Sequence, residues 1–214
     1  MFALFCLVMS SDFNQTEGVD IWILHQTHFN IKYDIMKKTI AALGFMLLCS
    51  GLSAQSENGL PEWQSQHAIG LNKLAPHTYV WPYETRESVI RRDHTSSPFY
   101  QSLDGKWKFH WVKNPDNRPK DFYKPSYYVG NWADIKVPGN WERQGYGTAI
   151  YVNETYEFGK PTPPVEPHAE NEVGSYRRTF TIPATWKDRR VVLCLEGVNS
   201  FYYVWINGKL MGYN

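Results

Sequence analysis

The dipeptide Asn207-Gly208 is the feature that most constrains the fold of this chain. It separates two runs of strand-forming residues, 201–206 and 209–213. An Asn-Gly pair between such runs is the strongest local signal of a two-residue type I′ turn, because both central positions of that turn need positive φ. The sequence therefore predicts an antiparallel β-hairpin in this region.

A second strand pattern lies in residues 106–112. Apolar and polar residues alternate, so that Trp107, Phe109 and Trp111 share one face of the predicted strand and basic residues share the other. Alternation with a period of two is typical of a strand with one buried face. We therefore expect the three aromatic residues to face a core.

Further short elements fill the rest of this half of the chain. Residues 135–137 and 175–182 are predicted strands, and residues 190–196 are so continuously apolar that burial on both faces is expected. Residues 84–92 predict one or two helical turns. Short strands between turns indicate an all-β fold built as an antiparallel β-sandwich. The last predicted strand has no successor and would leave an open sheet edge, so we expect a chain truncated at its C-terminus.

The N-terminal quarter contains the pattern of a secretory leader. Lys37 and Lys38 precede an apolar stretch, residues 39–49, and small residues lead to Ala54. The apolar stretch is too short for a membrane span. The pattern predicts a signal peptide over 36–54, and a protein secreted across the inner membrane to the periplasm or the exterior.

The segments on either side of this leader carry little periodicity. Residues 1–35 place a complete leader in mid-chain, and we hypothesise that translation starts at Met36 and that 1–35 is a spurious upstream extension. Residues 55–98 are interrupted by prolines, which predicts an irregular N-terminal arm. Residues 99–214 hold the predicted sandwich.

Charge and cysteine content limit the classes of function. The net charge is +1 with both signs mixed along the chain, which argues against a nucleic-acid partner. Cys194 lies in an apolar run and is expected to be a small buried residue, while Cys6 and Cys49 precede the predicted mature chain. The histidines that follow the leader have no metal-ligand spacing, so no metal site is predicted in this chain.

The stretch 137–158 is dense in aromatic residues and turn formers. Aromatic faces beside short polar side chains suit a sugar, which offers C–H faces for stacking and hydroxyls for hydrogen bonds. A loop that packs over a sandwich through its aromatic residues would have the same composition. The residues alone leave both interpretations open.

Several motifs in fixed order carry a resemblance to a known family. They are Ser102-Leu103-Asp104-Gly105-Lys106-Trp107, Val137-Pro138-x-x-Trp141, Tyr151-x-Asn153-x-x-Tyr156, Glu170-Asn171-x-x-Gly174-x-Tyr176-Arg177 and Val204-Trp205-Ile206-Asn207-Gly208. Together they resemble the N-terminal sugar-binding domain of glycoside hydrolase family 2, in its β-galactosidase branch. The resemblance covers residues 62–214 and implies a galactose-binding-like jelly roll, incomplete at residue 214.

This resemblance implies a function for a longer protein. It implies the N-terminal fragment of a secreted β-galactosidase that removes terminal non-reducing β-D-galactose from galactoside oligosaccharides. The two glutamates of the retaining mechanism would lie in a barrel outside this chain. No catalytic residue is therefore predicted here, and the fragment alone is expected to be inactive. Local carboxylates such as Glu142 and Glu172 match no catalytic position and are expected to be solvated.

One binding residue follows from the same resemblance. Asn153 matches the asparagine that reaches the terminal sugar, and its amide offers both a donor and an acceptor; a turn-stabilising role is the alternative. The family also implies magnesium and sodium for the full enzyme, a homo-oligomer, and the missing C-terminal domains as partners. A stand-alone carbohydrate-binding module, or a family 2 enzyme acting on a glucuronide or mannoside, remains an alternative. Glu157 stands where the family usually has proline.

Overall fold

The computed structural model describes residues 4–6, 19–25, 31–32, 60–78, 80–149, 166–169 and 171–214. The regular structure of these residues is mainly β-strand with very little helix, which confirms the predicted fold class. Its strands are β1 (Leu4–Cys6), β2 (Val19–His25), β3 (Ile31–Lys32), β4 (Gly105–Val112), β5 (Ala133–Val137), β6 (Val173–Phe180), β7 (Cys194–Glu196), β8 (Tyr202–Ile206) and β9 (Lys209–Tyr213).

The strands form two antiparallel sheets. The larger sheet has six strands in the order β5-β4-β6-β2-β8-β9, and the smaller has three in the order β1-β7-β3. Neighbouring strands are antiparallel throughout, as expected for a sandwich whose inner faces alternate with outer ones. One α-helix, α1 (Arg86–Arg91), is described in the arm, and Thr85 and Ser88 form its capping box.

The main core lies on one face of the larger sheet. Trp107 and Phe109 of β4 are each 1% exposed and pack in one cluster with Tyr202 and Val204 of β8. Trp111 continues the same face and is half-buried against this cluster. The alternation along residues 106–112 therefore predicted the buried face correctly.

The hairpin at the end of the chain also follows the sequence. Asn207 has φ of 49° and Gly208 has φ of 81°, as a type I′ turn requires. The two strands leave the turn in regular pairing and then shift register between Val204 and Trp205. This irregularity is a β-bulge, which increases the local twist.

The strand predicted over 190–196 is shorter in the structure. Only Cys194–Glu196 form β7, because the flanking strands β1 and β3 are three and two residues long and pair no further along it. Val191, Leu193 and Leu195 are buried, whereas Val192 is half-buried. Cys194 is buried in β7, as expected for a small apolar residue.

The arm runs along the outer edge of β9. The backbone N–H of Leu71 donates to Tyr213 O at 3.0 Å, and Asn72 Nδ2 donates to Met211 O at 2.9 Å. The edge that the sequence analysis expected to be open is therefore partly covered by residues of the arm. Covering an edge in this way blunts its tendency to pair with another chain.

Residues 19–25 form the fourth strand of the larger sheet, between β6 and β8. The hypothesis that translation starts at Met36 remains a prediction, as do the arm and sandwich boundaries. The predicted signal peptide, 36–54, lies outside the described residues. Within the described part of the chain, no helix has the length and apolar character needed to cross a membrane.

Candidate functional site

The residue predicted to bind sugar lies outside the described part of the structure. Asn153, Tyr151 and Tyr156 all belong to the segment 150–165, which the structure does not describe. The described residues on either side of this segment do fix where it leaves and rejoins the sandwich. These two ends, residues 141–149 and residues 166–169 with 171–172, define the candidate site.

The first end begins at a short turn that is tied to β5. Residues Glu142–Gln144 form one turn of 3-10 helix directly after Trp141. Gln144 Oε1 accepts from the Lys136 N–H at 2.8 Å, and Gln144 Nε2 donates to Lys136 O at 3.0 Å. These two hydrogen bonds from one side-chain amide hold the turn against the backbone of β5, in the way that a neighbouring strand would pair with it.

Aromatic packing fixes the same end from inside. Trp141 is 4% exposed, and its ring lies 6.0 Å from that of Phe109. Tyr146 meets Phe109 edge-on at 4.8 Å and is half-buried. Such edge-on and tilted pairs are favoured by the ring quadrupoles. For Trp141 the packing interpretation is therefore correct, since its faces are used by the core.

The Glu172 side chain ties the first end of the undescribed segment to the start of β6. Trp111 Nε1 donates to Glu172 Oε2 at 3.3 Å, and the backbone of Thr148 also donates to this carboxylate. Gly147 packs directly against the carboxylate and has φ of 65°, so a side chain there would be strained and would displace the Glu172 carboxylate. Glu172 thereby connects residues 147–148 to the start of β6.

Burial of the Glu172 carboxyl raises its pKa above the ordinary value, and the nearby charge of Glu142 acts in the same direction. The hydrogen bonds from Trp111 and Thr148 oppose this shift only in part. Glu172 is therefore a half-buried, hydrogen-bonded anchor, and the expectation that it is a solvated carboxylate was wrong. The sequence carried no local signal of this role, because Trp111 lies about sixty residues away.

The second end is held by the arm. His168 Nδ1 lies 3.2 Å from Asp116 Oδ2, and its other ring nitrogen contacts Gln64 Nε2. The Trp63 ring lies 5.0 Å from the His168 ring at an interplanar angle of 57°. Residues 63–64 and a turn after β4 thus hold residues 166–169.

Metal-ligating side chains do not cluster in the described part of the chain. No group of three His, Cys, Asp or Glu side chains able to hold a metal ion occurs there. His168 contacts one carboxylate, and His110 stacks on the Trp132 ring at 5.3 Å. What the geometry provides is a sandwich that anchors both ends of the segment carrying Asn153.

Comparison with known proteins assigns the class. Residues 100–214 match the sugar binding domain of glycosyl hydrolases family 2. The chain therefore belongs to this family, as its ordered motifs indicated. The matched region begins just before β4 and includes both ends of the segment 150–165.

The individual relatives with similar sequences include several β-galactosidases. A β-galactosidase from Priestia megaterium is 43% identical over 161 residues, which are 73% of this chain and 16% of that protein. One from Psychromonas ingrahamii is 33% identical over 72% of this chain and 14% of that protein. A β-galactosidase large subunit from Leuconostoc lactis is 37% identical over 56% of this chain. The chain spans between 14% and 22% of the length of these three proteins.

Proposed function

We propose that this chain is the N-terminal sugar-binding part of a secreted β-galactosidase that releases terminal non-reducing β-D-galactose from galactosides. The observation that carries the proposal is the match of residues 100–214 to a sugar binding domain, together with relatives that are β-galactosidases. The chain spans only 16% and 22% of the length of two of these relatives, which supports a longer parent protein. The secretory leader pattern over 36–54 supports export to the periplasm or the exterior.

In this proposal the chain positions sugar and the remainder of the protein supplies the chemistry. Retaining glycosidases use two carboxyl groups about 5–5.5 Å apart, one as acid and one as nucleophile. Asn153 would bind hydroxyls of the terminal galactose, donating through its amide nitrogen and accepting through its oxygen. The anchors at Glu172 and His168 would hold the segment that presents it. A preorganised segment loses less conformational entropy when sugar binds.

Magnesium and sodium are proposed as cofactors of the longer enzyme only. Within the described ranges no three acidic, histidine or cysteine side chains converge on one point. The proposal places both ions in the longer enzyme and none among the described residues.

A homo-oligomer of the parent enzyme is also part of the proposal. The arm exposes apolar side chains that the sandwich does not cover: Ile69 is 81% exposed, Val80 80% and Ile90 68%. Apolar residues concentrated in one segment favour burial against another copy or domain. Sedimentation of the full enzyme with Ile69→Lys and Val80→Lys would test this. An unchanged oligomeric state would show that these residues of the arm do not form the contact between copies.

The test of the sugar role is Asn153→Ala in the enzyme encoded by the full reading frame. Loss of hydrogen bonds worth about 1.5–3 kcal/mol predicts a fall of roughly tenfold or more in kcat/KM for a β-galactoside. Asn131→Ala is the matched control, because Asn131 is an exposed asparagine of the same domain. Equal activity of the two variants would contradict the sugar-binding role of Asn153 and favour the turn-stabilising role.

Two further measurements separate the alternatives. Titration of the 214-residue chain with galactose, followed by tryptophan fluorescence, would reveal saturable binding by a stand-alone carbohydrate-binding module. Comparison of kcat/KM for galactoside, glucuronide and mannoside substrates with the full enzyme would identify the sugar. A preference for glucuronide or mannoside would replace galactose in the proposal and keep the family.

A further inference from the structure

Residues 147–149 are exposed, and Glu172 connects them to the sandwich. The backbone of Glu172 directly precedes β6, which is paired with β4. Its carboxylate accepts hydrogen bonds from Trp111 Nε1 and from the Thr148 N–H. We call residues 147–149 docked when this contact is made and released when it is broken. The Glu172 carboxyl is therefore placed to control whether they stay docked.

The same stretch limits where Asn153 can lie. Asn153 follows Thr148 by five positions, and an extended chain spans at most about 3.3–3.6 Å per residue, so their Cα atoms stay within roughly 18 Å of each other. At the other end, fifteen positions separate Asn153 from His168, which allows roughly 50 Å. Holding Thr148 therefore restricts Asn153 much more tightly than holding His168 does.

The proton on Glu172 changes how firmly this stretch is held. In the docked arrangement burial raises the pKa of Glu172, the two hydrogen bonds oppose the shift, the like charge of Glu142 adds to it and the Lys113 ammonium opposes it. On release the carboxyl would reach water and regain its ordinary pKa. The docked arrangement is therefore favoured below pH 4.5 and loses this advantage as pH rises through the raised pKa. A protonated carboxyl keeps acceptor capacity, so it still accepts from Trp111 and Thr148.

We propose that Glu172 is a positioning residue for sugar binding: its neutral side chain keeps residues 147–149 docked, and its ionisation releases them and weakens binding of sugar at Asn153. This inference rests on the proposed function, in which Asn153 binds the terminal galactose. It adds regulation by protons to that site. Glu172 acts through residues 147–149 and not by contact with the sugar.

The first test compares Glu172→Gln with the unsubstituted full enzyme on a β-galactoside, from pH 4.5 to neutrality. The glutamine amide stays neutral, so the variant should keep residues 147–149 docked at every pH. The KM of the unsubstituted enzyme divided by that of the variant should rise with pH by about twofold or more, because release of half the molecules doubles an apparent dissociation constant. The quotient of the kcat values should stay flat, since saturating sugar restores the docked arrangement.

Titration of the catalytic carboxyls of the longer enzyme cancels in these quotients. A KM quotient that does not change with pH would overturn the proposal, because a merely structural role predicts no such change. Glu172→Ala removes the anchor, so its KM should exceed that of the unsubstituted enzyme most at pH 4.5. An unchanged KM there would also overturn the proposal. Glu87→Gln is the control, because Glu87 is exposed on α1, and its KM quotient should stay flat.

The second test needs neither a variant nor activity. Hydrogen exchange of the Thr148 N–H, which donates to Glu172, is compared with that of the Gln144 N–H, which donates to Trp141 O at 2.8 Å. The Trp141 carbonyl does not titrate, so the quotient of the two rates removes the general dependence of exchange on pH. Exchange at Thr148 should become faster relative to Gln144 as pH rises through the raised pKa of Glu172.

The two tests separate a failed coupling from a failed function. A constant exchange quotient would overturn the proposal, whether or not the enzyme cleaves a β-galactoside. A rising exchange quotient in an enzyme without β-galactosidase activity would contradict the proposed function and leave the coupling between Glu172 and Thr148 standing.

Discussion

Tyr203 donates its phenolic hydrogen to Glu62 Oε2 at 2.7 Å, and this bond ties the arm to β8 across 141 residues of sequence. Burial and the Glu62 carboxylate together raise the pKa of Tyr203, so the hydroxyl stays protonated at neutral pH. Glu62 immediately precedes Trp63 and Gln64, which contact His168. The bond therefore supports the second end of the segment that carries Asn153.

Tyr203→Phe should loosen the arm while leaving the sandwich folded. Loss of a hydrogen bond to a charged acceptor predicts a fall of about 1.5–3 kcal/mol in the free energy of unfolding. Limited proteolysis should cut residues 60–73 faster in the variant. Tyr128→Phe serves as the control, since Tyr128 is 76% exposed. Identical cleavage rates for the two variants would contradict the role assigned to Tyr203.

Glu172 should make stability depend on pH. Its pKa in the folded protein is raised above 4.5, so the folded state binds the proton more tightly than the unfolded state. Its contribution to stability is then fully present below pH 4.5 and is lost as pH rises through the raised pKa. Glu172→Gln should flatten this part of the curve of Tm against pH, because the amide does not titrate.

The control for this measurement is Glu166→Gln, an exposed carboxylate near the other end of the same segment. Its curve should follow that of the unsubstituted protein. A Glu172→Gln curve that still falls between pH 4.5 and neutrality would refute the assignment to Glu172.

Gly174→Ala should damage the core beneath the candidate site. An added Cβ would lie 2.5 Å from Trp141 Cζ3 and 2.8 Å from Phe109 Cε2, two ring atoms in buried positions. Overpacking of this kind predicts a loss of about 1–3 kcal/mol in urea unfolding. Ser175→Ala, one residue further along β6, should be neutral or stabilising, because the buried Ser175 Oγ has no hydrogen-bond partner within the described residues. A smaller loss for Gly174→Ala than for Ser175→Ala would show that the rings move aside.

Gly208→Ala should weaken the terminal hairpin more than Asn207→Ala does. Both positions have positive φ, and at Gly208 an added Cβ would also lie 2.9 Å from Pro125 Cδ. Strain at positive φ predicts about 1 kcal/mol for Asn207→Ala and about 2 kcal/mol for Gly208→Ala. Urea unfolding of the two variants gives the comparison, and the reverse order would mean that Pro125 does not constrain the turn.

Local patterns in the sequence were sufficient to predict several elements. The alternation of Trp107, Phe109 and Trp111 gave the buried face of β4, and the Asn207-Gly208 pair gave the type I′ turn. Both signals lie within one element or one turn, where neighbouring residues decide the backbone and the face. The ordered motifs likewise placed the chain in glycosyl hydrolase family 2.

Other features depended on which distant segments meet. Glu172 is an anchor only because Trp111 and Thr148 converge on it, and β7 ends where its short neighbours end. The position of Val19–His25 between β6 and β8 had no signal in those residues. A period of two tells which side chains share a face, but it does not say which strands become partners. The sequence by itself thus determined the faces and turns, whereas the tertiary structure decided the pairing, because pairing between distant strands is set by packing of the whole core.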